Sequence, residues 1–316
     1  MSTVVAMGDT MVEISLQVHD AWHASPDVAV SESTVGVGGS AANFAVYAAA
    51  LGVTSFIATN VGKDSFSSLL IDDLTHYGVA TELVQRESER NSMCVITIGA
   101  DGDRRFHSYR APEDSWNQDF EEAYLRLVVA RIETADWLHI SGFWLQRERT
   151  AALVEVAINA AAHQGIPISL DPSPLLMETP TPLLALVLSK AEVMFPNTYE
   201  ACAFTKTSSA YAAAQALSAM PPKHSVVTDG AAGSFLISDG EIHAVAAAPG
   251  PVVDTTGAGD ALAAGFVAAR LAGADALEAL QVGTRVAACA IRFVGGHAGG
   301  DSMRESLAVE FSKQWK

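Results

Sequence analysis

The sequence predicts an α/β fold: a three-layer sandwich with helices on both faces of a mostly parallel central sheet, and a small second β-sheet beside it. From about residue 120, short apolar runs alternate with alanine-rich helical stretches, the pattern of a parallel sheet covered on both faces. Before that, an alternating segment and a hairpin signal mark strands with one wet face, which belong to a separate element. Near the C-terminus, Asp254-Thr255-Thr256-Gly257-Ala258-Gly259-Asp260 runs into a small, apolar stretch, so a glycine-rich turn opens a buried helix. One domain over residues 1–316 is expected, with the small sheet built from two pieces at approximately 10–34 and 92–112.

Val4 to Met7 reads as a buried first strand that Gly8-Asp9 ends. Met11 to Val18 alternates apolar and polar residues, and residues 19–34 read as polar and irregular. The glycines of Val35-Gly36-Val37-Gly38-Gly39 mark a turn, and an alanine-rich helix containing Asn43 follows until Gly52 closes it. Phe56 to Asn60 is a strand, and Ser65 to Tyr77 an amphipathic helix ended by Gly78. Asp101-Gly102 between Met93–Ile98 and Arg104–Arg110 is a hairpin signal. Alternation then puts Phe106, Ser108 and Arg110 on one face.

Later strands end at Gly142, Asp171, Asn197 and Thr228, with a helix from Thr150 to His163 closed by Gly165. Ser238-Asp239-Gly240 predicts a second hairpin. Gly283 to Phe293 reads as a buried helix and Gly295 to Gly300 as a flexible loop. In parallel sheets ligands bind at the carboxyl ends of strands. Asp9, Asp171, Asn197, Thr228 and Asp260 all fall at or just past expected strand ends, which predicts one shared crevice.

The net charge of −17 argues against nucleic acid or an anionic membrane as partner. No window reaches the ~18 consecutive apolar residues of a membrane span. The N-terminus lacks a basic start and reads as a strand, not a signal peptide. Three scattered cysteines suggest a reducing compartment, so a cytoplasmic location is expected.

The Asp254–Asp260 string carries chemistry. Gly257 and Gly259 let successive amides point at one spot, and a helix N-terminus adds positive partial charge there, which makes a nest for phosphate. Asp260 at its lip would repel a merely bound phosphate, but is placed to take a proton from a hydroxyl attacking one. The competing reading is a tight loop of small residues that packs a helix on a sheet.

The full string resembles the C-terminal signature of the ribokinase-like (PfkB) carbohydrate kinase family. Other segments extend the resemblance in the same order along the chain. Asp9 matches the family's early acidic sugar contact, and Gly38-Gly39 with Asn43 its Gly-Gly-x-x-x-Asn sugar segment. Asn197 and Glu200 match Asn-x-x-Glu; Thr228, Gly230 and Gly233 match Thr-x-Gly-x-x-Gly. Read without the family, Asn43 is a local cap, Asn197 and Glu200 have capping-box spacing, and 228–233 is a turn before the hairpin.

The resemblance implies a ribokinase-like fold whose small sheet is a lid over the sugar, and an ATP-dependent sugar kinase. Asp260 would be the general base, and amides of Gly257, Ala258 and Gly259 would stabilise the transferring group. Asp9, Gly38, Gly39, Asn43 and Arg110 would hold the sugar. Asn197, Thr228, Gly230 and Gly233 would hold ATP, and Glu200 would organise Mg²⁺ through water. A monovalent cation, K⁺ in the family's manner, would sit by Asp254 and carbonyls of the 295–300 loop. Lid-mediated homodimers occur in the family and are an expectation here.

The match departs at Asp171-Pro172-Ser173-Pro174-Leu175, where several relatives read Asp-x-Asn-x-Arg. The missing arginine counts against an acid sugar, and no lysine cluster marks a sugar phosphate. A neutral sugar is therefore ahead of a nucleoside, which Phe106, Tyr109 and Trp116 keep open. A sugar-binding sensor without catalysis is the reading from another class, and the intact Gly257–Asp260 string argues against it. A dinucleotide-dependent oxidoreductase fits least, because Gly8-Asp9 leads into an alternating strand rather than a long helix.

Overall fold

Strand alternation settles the layering. In the computed structural model, which describes residues 1–18, 29–99, 104–111 and 118–304, the first strand β1 (Thr3–Met7) is buried on both sides. Val4 and Ala6 enter one hydrophobic core, Val5 and Met7 the other, as a period of two requires. In chain order the remaining strands are β2 (Met11–Val18), β3 (Val30–Gly38), β4 (Thr54–Gly62), β5 (Val84–Ser88), β6 (Met93–Ile98), β7 (Arg104–Tyr109), β8 (Trp137–Ser141), β9 (Ile168–Asp171), β10 (Val193–Met194), β11 (His224–Thr228), β12 (Ser234–Ser238) and β13 (Glu241–Val245). The helices are α1 (Ser40–Ala50), α2 (Ser67–His76), α3 (Gln118–Ile132), α4 (Glu148–Gln164), α5 (Pro174–Glu178), α6 (Pro182–Lys190), α7 (Thr198–Thr205), α8 (Ala210–Leu217), α9 (Ala258–Leu271) and α10 (Ala276–Ala290).

Among the described residues the main sheet runs β13-β12-β11-β10-β9-β8-β1-β4-β5. It is parallel from β5 to β11, and β12 and β13 add an antiparallel edge. Asp239 and Gly240, both at positive φ, close the expected hairpin between those two strands. Phe44, Tyr47 and Phe266 fill the core on the α1, α9 and α10 side, while Leu153, Ile158 and Leu184 fill the other.

α9 and α10 cross at glycine. A Cβ on Gly265 would lie 2.8 Å from the Gly283 Cα, and one on Gly283 would lie 2.5 Å from the Leu262 carbonyl oxygen. Gly283 therefore sits inside a helix, and α10 starts well before the expected position. Its first turn is fixed by a capping box between Asp275 and Glu278.

The second sheet has the order β3-β2-β6-β7, with β2 and β6 parallel and the outer pairs antiparallel. Here the expectation of irregular chain through residue 34 and a turn at 35–39 needs correction. Residues 30–38 form β3, which pairs with β2 through to Gly38 opposite Met11. β3 is an edge strand exposed along most of its length, so it never buries the alternate residues that make a strand readable. Residues 19–28 and residues 100–103, where the sequence predicts a hairpin turn, lie outside the described residues, as does Trp116.

Candidate active site

The carboxyl ends of the main sheet face the inner side of the small sheet across a cavity of about 380 Å³. Asp9 enters from beyond β1, Asp171 from the end of β9, Asn197 from beyond β10 and Thr228 from the end of β11. Glu13, Cys94, Ile96, Phe106, Ser108 and Arg110 come from the small sheet side. The expected shared face of Phe106, Ser108 and Arg110 is thus the cavity face. Asp260 arrives differently from expectation: no strand precedes it, and a loop over residues 246–257 delivers it to the first turn of α9.

Gly257 is the N-cap of α9 with φ 75°, and a Cβ there would lie 1.9 Å from the Gly296 carbonyl oxygen. Only glycine fits both the conformation and the approach. A Cβ on Gly259, by contrast, would meet open space. The Ala258 amide already donates to the Thr255 carbonyl at 3.2 Å. First-turn amides have no helical acceptor, which leaves those of Gly257 and Gly259 without one in the helix.

Asp260 is held by a buried chain of hydrogen bonds. Nδ2 of Asn43 donates to its Oδ2 at 2.7 Å. The Asn43 Oδ1 then faces Nδ1 of His297 at 2.8 Å, and Nε2 of His297 faces Oδ2 of Asp73 at 2.7 Å. Both ring nitrogens of His297 therefore face oxygen acceptors. Asn43 is not a helix cap, since Gly39 occupies that place. The 295–300 segment, expected as a flexible loop, is a packed seam: Gly296 abuts Asn43, and His297 is buried.

Burial, and next the charge of Asp171, push the Asp260 carboxyl well above the ordinary carboxylate range, against hydrogen bonds from Asn43 and Ser40. Asp171 is pushed up to about 6, chiefly by burial, although Ser40 Oγ donates to its Oδ2 at 2.9 Å. Burial and then Asp171 push Glu200 up to about 8. Each is a carboxyl taken from water with too little compensating positive charge.

Asn197 and Glu200 do form a capping box: the Glu200 amide donates to Asn197 Oδ1 at 3.0 Å, and the Asn197 amide donates to Glu200 Oε2 at 2.9 Å. Both side chains still line the cavity, so the cap does not remove them from it. Gly230 and Gly233, at φ 53° and 98°, shape the turn after β11, while Thr228 alone of that trio lines the cavity. Asp254 accepts from the amides of Thr256 (2.8 Å) and Gly295 (2.9 Å), tying the motif loop to the C-terminal seam.

Gly39, at φ 106°, lets α1 start hard against Asp9, whose carbonyl oxygen would be 2.5 Å from a Cβ. Gly38 makes room for the Glu13 carboxylate in the same way. Asp9 itself accepts from Ser141 Oγ at 3.0 Å and pairs with Arg110 Nη1 at 3.1 Å. Arg110 also lies over the Phe143 ring, 4.0 Å from its centroid. Ser173 is buried and accepts from Gln146, and Leu175 is exposed; neither lines the cavity. Sequence reasoning did not select Ser40, Glu13 or His297, because nothing local marks a serine after glycines or a histidine among them.

The model of the pfkB family carbohydrate kinases matches residues 1–301. The chain is 26% identical over 313 residues to the uncharacterized sugar kinase YegV of Escherichia coli (strain K12), covering 97% of this chain and 93% of that one. It is 28% identical to a ribokinase of Bacillus subtilis (strain 168), with 83% of each chain covered. The structure of Arabidopsis thaliana ribokinase complexed with ribose and ATP superposes with a TM-score of 0.79 at 21% identity, over 96% of this chain and 98% of that one, a likeness of fold.

Proposed function

From the premise that this chain belongs to the pfkB family of carbohydrate kinases, we propose that it transfers the γ-phosphoryl of ATP to a hydroxyl of a small carbohydrate, with Asp260 as general base. The observation that supports this most is the placement of Asp260 in the first turn of α9, buried, held by Asn43, and one residue from the open space over Gly259. Asp260 takes the hydroxyl proton as the acceptor oxygen bonds to the γ-phosphorus. The bond to the bridging oxygen breaks, and its electron pair leaves with ADP. Burial and the charge of Asp171 raise the affinity of Asp260 for a proton, the direction that strengthens a base. Amides of Gly257 and Gly259 would meet the charge on the transferring group, with Ala258 supporting the turn that aims them.

The donor set suits a divalent cation. Glu200 and Asp171 are carboxyls short of positive charge, facing the same cavity as Asp260. No group of three or more His, Cys, Asp or Glu among the described residues could cage a metal. Glu200 would thus hold Mg²⁺ through water, the ion's remaining ligands being water and phosphate oxygens. Mg²⁺ bound there would neutralise charge on the phosphates. Asn197 and Thr228, with the Gly230–Gly233 turn, would position ATP. Asp9, Arg110, Gly38 and Gly39 would shape the sugar end, and Asn43 would orient Asp260 from beside it. K⁺ near Asp254 would have to use lone pairs that the two amides leave.

No helix among the described residues is long and apolar enough to cross a membrane. Cys94, Cys202 and Cys289 are free, which supports a cytoplasmic setting. The lid remains the surface on which we would seek a homodimer. Phe106, exposed at the cavity, favours a nucleoside as the second acceptor class.

The test is ADP release with Mg-ATP across neutral sugars, acid sugars, sugar phosphates and nucleosides, beside Asp260→Ala. Turnover with one class, lost in the variant, is expected. Tight sugar binding that Asp260→Ala leaves intact, with no turnover of any compound, would replace the kinase with a sensor.

A further inference from the structure

The inner face of the small sheet continues past the main cavity. On β2, Met11 and Glu13 line that cavity, and Ser15 and Gln17, next on the same face, line a second one of about 370 Å³. On β6, Cys94 and Ile96 line the first and Ile98 the second. On the opposite wall the chain passes from Thr255 in the first to Asp254 and Val253 in the second, where Val294 joins them. The two cavities therefore follow one another along a single face, and the second is nearly as large as the first. Its volume lies within the ~300–1,000 Å³ of small-molecule sites. Asp9, Asn43, Asn197 and Thr228 do not line it, so the sugar and nucleotide contacts proposed above leave it unused.

Its lining suits a ligand with hydroxyl edges and a C–H face. Ser15 is only 7% exposed, and its hydroxyl has no hydrogen-bond partner among the described residues. A buried hydroxyl left unpaired asks for a partner, and this one lines the cavity. Thr34 lies directly opposite Ser15 in the ladder, and Glu32 opposite Gln17, which sets a second polar row beside the first. Across the cavity Val253 and Val294 are 54% and 46% exposed, aliphatic surface that a ligand would cover. Among the described residues no Arg, Lys or His lines the cavity, while Glu32 and Asp254 do, so an anionic group gains nothing there. No aromatic ring lines it either. A nucleobase would find Phe106, Phe143 and Phe195 in the main cavity instead.

Resting on the kinase reading, we propose that the acceptor is larger than one sugar ring: a glycoside or disaccharide whose second unit, neutral and hydroxyl-bearing, occupies this cavity. Ser15, Gln17 and Thr34 bond its hydroxyls, and Val253 and Val294 cover its C–H face. The ring to be phosphorylated stays in the main cavity, between Asp9 and Asp260.

The experiment compares monosaccharides with their methyl glycosides, neutral disaccharides, disaccharides ending in a uronic acid, and nucleosides, by ADP release and by calorimetric binding. It uses the full chain, Ser15→Ala, Thr34→Val and the double variant. Thr34 is exposed on an edge strand and valine keeps its branching, so this variant keeps the fold even if Ser15→Ala does not. A neutral disaccharide preferred over its parent monosaccharide about tenfold or more in kcat/KM is expected, with that preference cut severalfold by Thr34→Val and about tenfold by the double variant. Methyl glycosides, which lack the second set of hydroxyls, should gain little. Equal kcat/KM for monosaccharide and disaccharide, or a preference that Thr34→Val and the double variant leave intact, would overturn the subsite while leaving the kinase standing. So would a preference for nucleosides or for the uronic acid. If nothing turns over, the kinase reading fails and binding still decides. Disaccharide binding tighter than that of the monosaccharide and weakened by Thr34→Val upholds the subsite; binding that is no tighter, unaffected or absent refutes it.

Discussion

The amide nitrogen of Asn43 donates to Oδ2 of Asp260 across 2.7 Å, joining α1 to α9 although 217 residues separate them. Because the Asn43 oxygen then faces His297, and His297 faces Asp73, the orientation of Asp260 depends on three residues from different parts of the chain. A base is useful only within hydrogen-bond reach of the proton it removes.

Breaking this chain at its middle should therefore lower kcat more than it raises the KM for ATP. For His297→Ala we expect kcat to fall about tenfold or more, with a stability loss of about 1–3 kcal/mol from the buried Asn43 oxygen left unpaired. Asp73→Asn, made in the parent protein where it can still meet the ring, should keep most of the rate. Steady-state kinetics beside denaturant unfolding separates the two effects. An unchanged kcat in His297→Ala would mean that Asp260 needs no such support.

The two glycines of the motif should both matter for activity but differ in their effect on stability. Gly257→Ala sets a Cβ against the Gly296 carbonyl at a positive φ, so we expect a lowered Tm as well as lost activity. Gly259→Ala meets open space and should keep the Tm, while the added methyl crowds the phosphate approach and lowers kcat/KM. Thermal unfolding and kinetics of both variants check this; a Gly259→Ala enzyme with full activity would move the phosphoryl group elsewhere.

Glu200 sets a pH dependence of stability in the absence of divalent metal. Its carboxyl rises from the ordinary 4.5 to about 8 in the fold, so the native state holds the proton more tightly than the unfolded chain. The stability this contributes is complete below pH 4.5 and is lost as pH rises toward 8. Glu200→Gln stays neutral and should lose less stability than the parent between about pH 5 and pH 8, measured in chelator. The same variant should need more Mg²⁺ for turnover. Parallel Tm–pH curves for the two proteins would refute the assignment.

The sequence by itself determined the α/β class, the hairpins and the residues past the strand ends, because burial on a sheet leaves periodic apolar runs and ligand-binding turns need glycine. It also carried the family motifs, from Asp9 to Asp260, since each is a contiguous string whose chemistry is local. It did not show β3, an edge strand without a buried face, or the early start of α10, where Gly283 mimicked a breaker and proved to be a helix crossing. Nor did it show the clustering of Asp260 with Asn43, His297 and Asp73, or of Ser15 and Thr34 with Val253 and Val294. Those groupings depend on which segments the two hydrophobic cores and the small sheet bring together. Charge compensation and hydrogen bonding between distant residues leave no spacing in a chain, and only packing decides them.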